Sequence, residues 1–183
     1  MHRYSQDAHF AEIILKQPLV VLALVLGCAT AGAAALVLAG WRGWRRVPAV
    51  LAGCGLAVAL AVTLARPELA LYSLFDPIHF PCVLNDFSLA DSMARLNFLM
   101  LAPFAFFGTL ATRRPVPVLV ASAAVSGFAE LFQTVTSVGS CEAQDFYNNV
   151  VGAACAVALA WLVNRLVGGR GPAPVAGHGS SAG

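Results

Sequence analysis

Charge is what this chain has least of. Asp, Glu, Lys and Arg make up only 11% of its 183 residues, and the apolar set makes up 59%. A soluble domain carries about 25% charged and about 45–50% apolar residues. A surface so poor in charge cannot face water, and the mean hydropathy of +0.77 says the same. The soluble globular class is excluded. Disorder is excluded as a state of the whole chain, and so is nucleic-acid binding, since a net charge of +2 offers no stripe of phosphate contacts. Internal repeats are absent, as are a phosphate loop, a nucleotide fingerprint and a Gly-x-Ser-x-Gly elbow. Nothing calls for a cofactor.

What remains is long apolar runs. A bilayer core takes about 20 apolar residues per helix. Five stretches meet that length: Leu19–Gly40, Val47–Ala65, Leu96–Thr112, Val116–Val135 and Asn149–Val167. The expected fold is an all-α integral membrane bundle of five helices. Pro103 in the third span is tolerable because neighbouring helices re-satisfy the carbonyl it frees. The chain divides into an N-terminal segment 1–18, two spans over 19–65, a loop 66–95, three spans over 96–167 and a tail 168–183. Gly, Pro, Ala and Ser dominate that tail, which is too poor in bulky apolar residues to fold and is expected to be disordered.

Basic residues near span ends mark the cytoplasmic side. Arg42, Arg45 and Arg46 lie between spans one and two, Arg113 and Arg114 between three and four, and Arg165 and Arg170 after five, so 7 of the 11 Lys and Arg fall on one side. The other side has Arg3, Lys16, Arg66 and Arg95 with all the loop acids, Asp7, Glu12, Glu68, Asp76, Asp86, Asp91, Glu142 and Asp145. The expected topology is N-terminus outside and C-terminus in the cytoplasm. Trp41 and Trp44 fit a headgroup-level belt beside the first cytoplasmic turn. The first span runs on too long for a cleaved signal. Leu51-Ala52-Gly53-Cys54 and Val25-Leu26-Gly27-Cys28 look like lipoprotein boxes, yet both lie inside spans and read as small packing residues.

An ionisable group at mid-helix in a membrane costs about 2.5–3.5 kcal/mol on insertion scales. Glu130, in the outer half of span four, is therefore the most informative residue. Gln133 follows at i+3, and Ser126 and Gly127 precede it on the same face. At the start of span five, Asp145, Asn149 and Gly152 share a second face. Asn97 opens span three. Asn97, Glu130, Gln133, Asp145 and Asn149 thus reach one depth at the outer end, as candidate ligand-binding residues, with Ser126, Gly127 and Gly152 as packing residues. The plain alternative is interhelical glue, with Asp145 as an N-cap. Taken singly, Asn97 and Gln133 fit that plainer role.

Cys28, Cys54 and Cys155 lie within spans and behave as small apolar groups. Cys82 and Cys141 are the loop cysteines of the oxidising side, and a disulfide between them is expected. His79 between Asp76 and Cys82 is too weak a spacing for zinc and would compete for Cys82, so no metal site is assigned.

Asn97-x5-Pro103-Phe104, Ser126-x3-Glu130-x2-Gln133 and Asp145-x3-Asn149-x2-Gly152 resemble the successive motifs of VanZ-like membrane proteins over residues 96–167. The first two spans and the long loop carry no resemblance. The family implies a small bacterial envelope protein of the cytoplasmic membrane, whose namesake is an accessory determinant of resistance to teicoplanin-type glycopeptides. It establishes no catalytic mechanism. Many members have an Arg six residues before the motif Asp, where this chain has Gly139; Arg95 is the candidate substitute. Three function classes follow. The first is a binding or envelope-protection module engaging a cell-wall precursor or lipid-tailed glycopeptide. The second is a membrane enzyme on a lipid-linked substrate, with Glu130 as general base, Asp145 as acid or orienter, and no evident nucleophile. Transport through Glu130 is the third, disfavoured because no polar residues continue toward the cytoplasm.

Overall fold

The computed structural model describes residues 18–64, 83–136 and 142–168. Six helices occupy them: α1 (Pro18–Arg42), α2 (Arg46–Leu64), α3 (Ser92–Met100), α4 (Ala102–Thr112), α5 (Pro115–Thr136) and α6 (Ala143–Gly168). α3 and α4 together make one apolar span, so five spans long and apolar enough to cross a membrane are present among the described residues. No strand occurs among them; Val83 and Glu142 form an isolated parallel bridge.

The ends of the helices follow from local chemistry. α1 stops at Gly43, whose φ of +67° is cheap only for glycine, and the Trp44 N–H closes back on the Ala39 carbonyl at 2.9 Å. α4 ends on Arg113, also left-handed at φ 57°, with its N–H on the Thr109 carbonyl at 2.9 Å. Pro115 then opens α5, where its missing N–H costs nothing. Span three is broken at Leu101 because Pro103, in the first turn of α4, has no N–H to continue the ladder of α3. Asp91 caps α3 by accepting the Ala94 N–H at 2.8 Å. Span five begins at Ala143 rather than near Asn149. Gln144 and Asp145 depress hydropathy there without opposing a helix, and Asp145 lies in the first turn, where its charge complements the helix dipole.

The bundle is built small side inward. Ala49, Ala52, Ala59, Ala105, Ala153 and Ala160 are buried, while Leu22, Val25, Leu26, Val120 and Leu159 point outward. A hydrocarbon surround gives no reason to bury bulk, and small residues let backbones approach. A β-carbon on Gly53 would come within 2.6 Å of the Ala31 oxygen, and one on Gly55 within 2.9 Å of the Phe104 nitrogen. α2 packs between α1 and α4, and α6 packs on α3, α4 and α5.

The two turns meet at one end. Arg45 N–H bonds the Ala111 carbonyl at 3.3 Å, its guanidinium donates to Asn164 Oδ1 at 3.3 Å, and Asn164 Nδ2 donates to the Thr109 carbonyl at 3.0 Å. Arg42, Arg45, Arg46, Arg113, Arg114 and Arg165 are all exposed around this end or on the helix ends that lead into it. The connection after Val83 and the junction of α5 with α6 lie at the other.

Candidate functional site

The α5–α6 junction carries the polar residues. Ser126 and Asn149 are each 1% exposed, and Asn149 Nδ2 donates to Ser126 Oγ at 3.1 Å. One turn toward the end of α5, the half-buried Glu130 accepts the Glu142 N–H on Oε2 at 3.3 Å. The Thr134 hydroxyl closes onto the Glu130 carbonyl at 2.8 Å, which satisfies the backbone there. Glu130 lies within electrostatic reach of both Asp145 and Glu142. Three carboxylates therefore gather where α5 hands over to α6, above a buried Ser–Asn pair.

Segment 83–91 is tied to this junction. The Ala143 N–H bonds the Val83 carbonyl at 3.0 Å beside the Val83–Glu142 bridge. Asn85 gives Nδ2 to Glu142 Oε2 at 3.1 Å and takes the Gln144 N–H on Oδ1 at 2.9 Å. Gln144 Nε2 reaches the Ser88 carbonyl at 3.5 Å. Arg95 holds the far end of the segment through the Leu89 and Ala90 carbonyls at 3.4 and 3.2 Å, and bonds Ser92 Oγ at 3.0 Å.

Ser126, Glu130, Asp145 and Asn149 are thus brought to one junction. Gln133 and Asn97 are partly buried, and no hydrogen bond among the described residues engages either side chain. α3 reaches the site through its backbone: a β-carbon on Gly152 would overlap the Phe98 carbonyl, so only glycine fits this crossing. At Gly127 a β-carbon would meet the Phe146 ring at an ordinary 3.8 Å. Cys82, Cys141, His79 and Asp76 lie outside the described residues. Among the described residues no group of three or more His, Cys, Asp and Glu is placed to hold a metal ion.

Sequence reasoning missed Asn85, Gln144 and Asn148, and read Glu142 only as a loop acid. Asn148 is wholly buried, with Nδ2 and Oδ1 both unpartnered. The Asn148–Asn149 doublet inside an apolar span was the available signal; Asn85 had none, because its partners are distant in sequence.

These motifs, in this order on α3 to α6, are the features by which relatives can be sought. Residues 74–164 match the VanZ/LLP1 family. The match starts well before Asn97, so the VanZ-like segment includes the connection 83–91, which the motif resemblance alone had left out. No curated protein and no solved structure matches the chain. The five spans long and apolar enough to cross a membrane, three of them in or overlapping the VanZ-like segment, make this a multi-pass membrane protein.

Proposed function

We propose that this is a bacterial cytoplasmic-membrane protein, N-terminus outside and C-terminus inside, whose outward polar site binds the head group of a membrane-anchored ligand. That ligand is a cell-wall precursor or a lipid-tailed glycopeptide, and binding contributes to teicoplanin-type tolerance. In this reading 1–18 is external, 19–65 is an accessory helix pair, 96–167 with its preceding loop forms the site, and 168–183 is cytoplasmic. The carrying observation is the separation of charge. Glu130, Glu142 and Asp145 gather at the end opposite the six exposed arginines, and arginine-rich ends face the cytoplasm. A carboxylate cluster set at one end of a bundle suits a ligand held at the outer leaflet better than a path through the membrane. Glu130 and Asp145 accept hydrogen bonds from ligand donors, while Asn97, Gln133 and Asn149 orient it.

The test expresses wild type, Glu130→Gln and Asp145→Asn in a susceptible Gram-positive host, with teicoplanin and vancomycin side by side. Tolerance to the lipid-tailed drug, lost in both variants at normal protein level, is expected. Unchanged tolerance in both contradicts the reading. We propose also that Cys82 and Cys141 form a disulfide, supported by the bridge between Val83 and Glu142, the residues that directly follow them. A mobility shift on reduction, abolished by Cys82→Ser, checks it.

A further inference from the structure

Gln144, Asn148 and Gly152 stand four residues apart on α6 and share one face. That face is covered on both sides of Asn148. Gln144 is bonded to Asn85 and Ser88 of segment 83–91, and Gly152 lies against the Phe98 carbonyl of α3. Asn148 is 0% exposed between them, and neither polar atom of its amide has a partner. Beside it, Asn149 gives its Nδ2 to Ser126 and leaves Oδ1 unpartnered. Buried polar groups are paired in the great majority of cases, so two adjacent amides with unspent capacity need a reason.

We propose that Asn148 is a ligand-binding residue of the outward site, that it recognises an amide group of the ligand, and that segment 83–91 is the strap that lifts to admit it. This rests on the reading above and narrows its ligand class. A free carboxamide offers a donor and an acceptor together. It matches a peptide or N-acyl amide at two points, Nδ2 to the ligand carbonyl and Oδ1 from the ligand N–H. A phosphate, which only accepts, or an ammonium, which only donates, meets half of it. Asn149 Oδ1 supplies a further acceptor for a donor on the same ligand. The strap is suited to moving. Hydrogen bonds attach it to the α5–α6 junction, and none of its bulky side chains is buried: Leu84 is 88% exposed, with Val83, Phe87 and Leu89 also exposed.

Two measurements on the full chain in lipid nanodiscs and in cells test this. The first follows modification of the Asn148→Cys thiol by a small polar maleimide, read at that peptide by mass spectrometry, with and without Asn85→Ala. Asn85→Ala removes the two Asn85 side-chain bonds, to Glu142 Oε2 and from the Gln144 N–H, and so weakens the strap's hold on the junction. Slow modification that rises at least fivefold with Asn85→Ala is expected, while an Ala153→Cys thiol in the core stays unmodified. Equal protection in both backgrounds overturns the strap. The second compares teicoplanin tolerance in Asn148→Leu, Asn148→Gln and Glu130→Gln. Asn148→Leu removes the amide while keeping its branched outline; normal protein level with at least a fourfold loss of tolerance, partly restored by Asn148→Gln, is expected. Full tolerance in Asn148→Leu beside its loss in Glu130→Gln overturns the role of Asn148 alone. Full tolerance in both overturns the underlying reading, and the thiol measurement then still decides whether Asn148 can be reached.

Discussion

The α1–α2 pair and the VanZ-like segment solve the same packing problem by different means. α1 and α2 meet through Gly27, Gly32 and Gly53 and through two thiols, Cys28 Sγ on the Cys54 carbonyl at 3.8 Å and Cys54 Sγ on the Cys28 carbonyl at 3.7 Å. Their groove of about 450 Å³ is lined by Ala23, Gly27, Leu56 and Leu60 and their neighbours, and is almost wholly apolar. The segment from Val83 onward instead buries Ser122, Ser126, Asn148 and Asn149, and gathers three carboxylates. Small-residue packing suffices to hold helices together in a membrane. The polar residues of the second region exceed that need, which supports the proposed site there.

Substitutions that sharpen this contrast span a range of sizes. Gly152→Val forces a side chain into the Phe98 backbone and should cost about 3 kcal/mol or more, seen as loss of folded protein in detergent. Next, Ser126→Ala strands the Asn149 Nδ2 in the interior, and leaving a buried donor unpaired costs about 1–3 kcal/mol, readable as a lower thermal midpoint. In the apolar pair, Cys54→Ala removes only a weak thiol contact. It should shift the midpoint by less than Ser126→Ala does; an equal or larger shift would erase the contrast between regions. The smallest effect is a gain: Arg113→Gly relieves the left-handed backbone at φ 57° and should stabilise by about 0.5–1 kcal/mol, a rise in midpoint without change in tolerance.

Five spans were legible because each apolar run is long enough to dominate any window. Glu130 and Asn149 stood out because polar groups in a membrane are costly. The break at Leu101 was not visible, since Pro103 is compatible with either a kinked or a divided span. The early start of α6 at Ala143 was hidden by the low hydropathy of Gln144 and Asp145, although helix formation does not depend on hydropathy. Asn85, Glu142 and Gln144 could not be joined from sequence at all: their bonds cross more than fifty residues and depend on the backbone pairing of Val83 with Glu142.

The most direct measurement sets the two regions against each other in one assay. The full chain is expressed as wild type, with Cys28→Ala and Cys54→Ala together, and with Glu130→Gln, and teicoplanin tolerance is read at matched protein level. Wild-type tolerance in the cysteine double variant and its loss in Glu130→Gln is the predicted result. Loss in the α1–α2 variant with full tolerance in Glu130→Gln would place the activity in the helix pair and contradict the assignment.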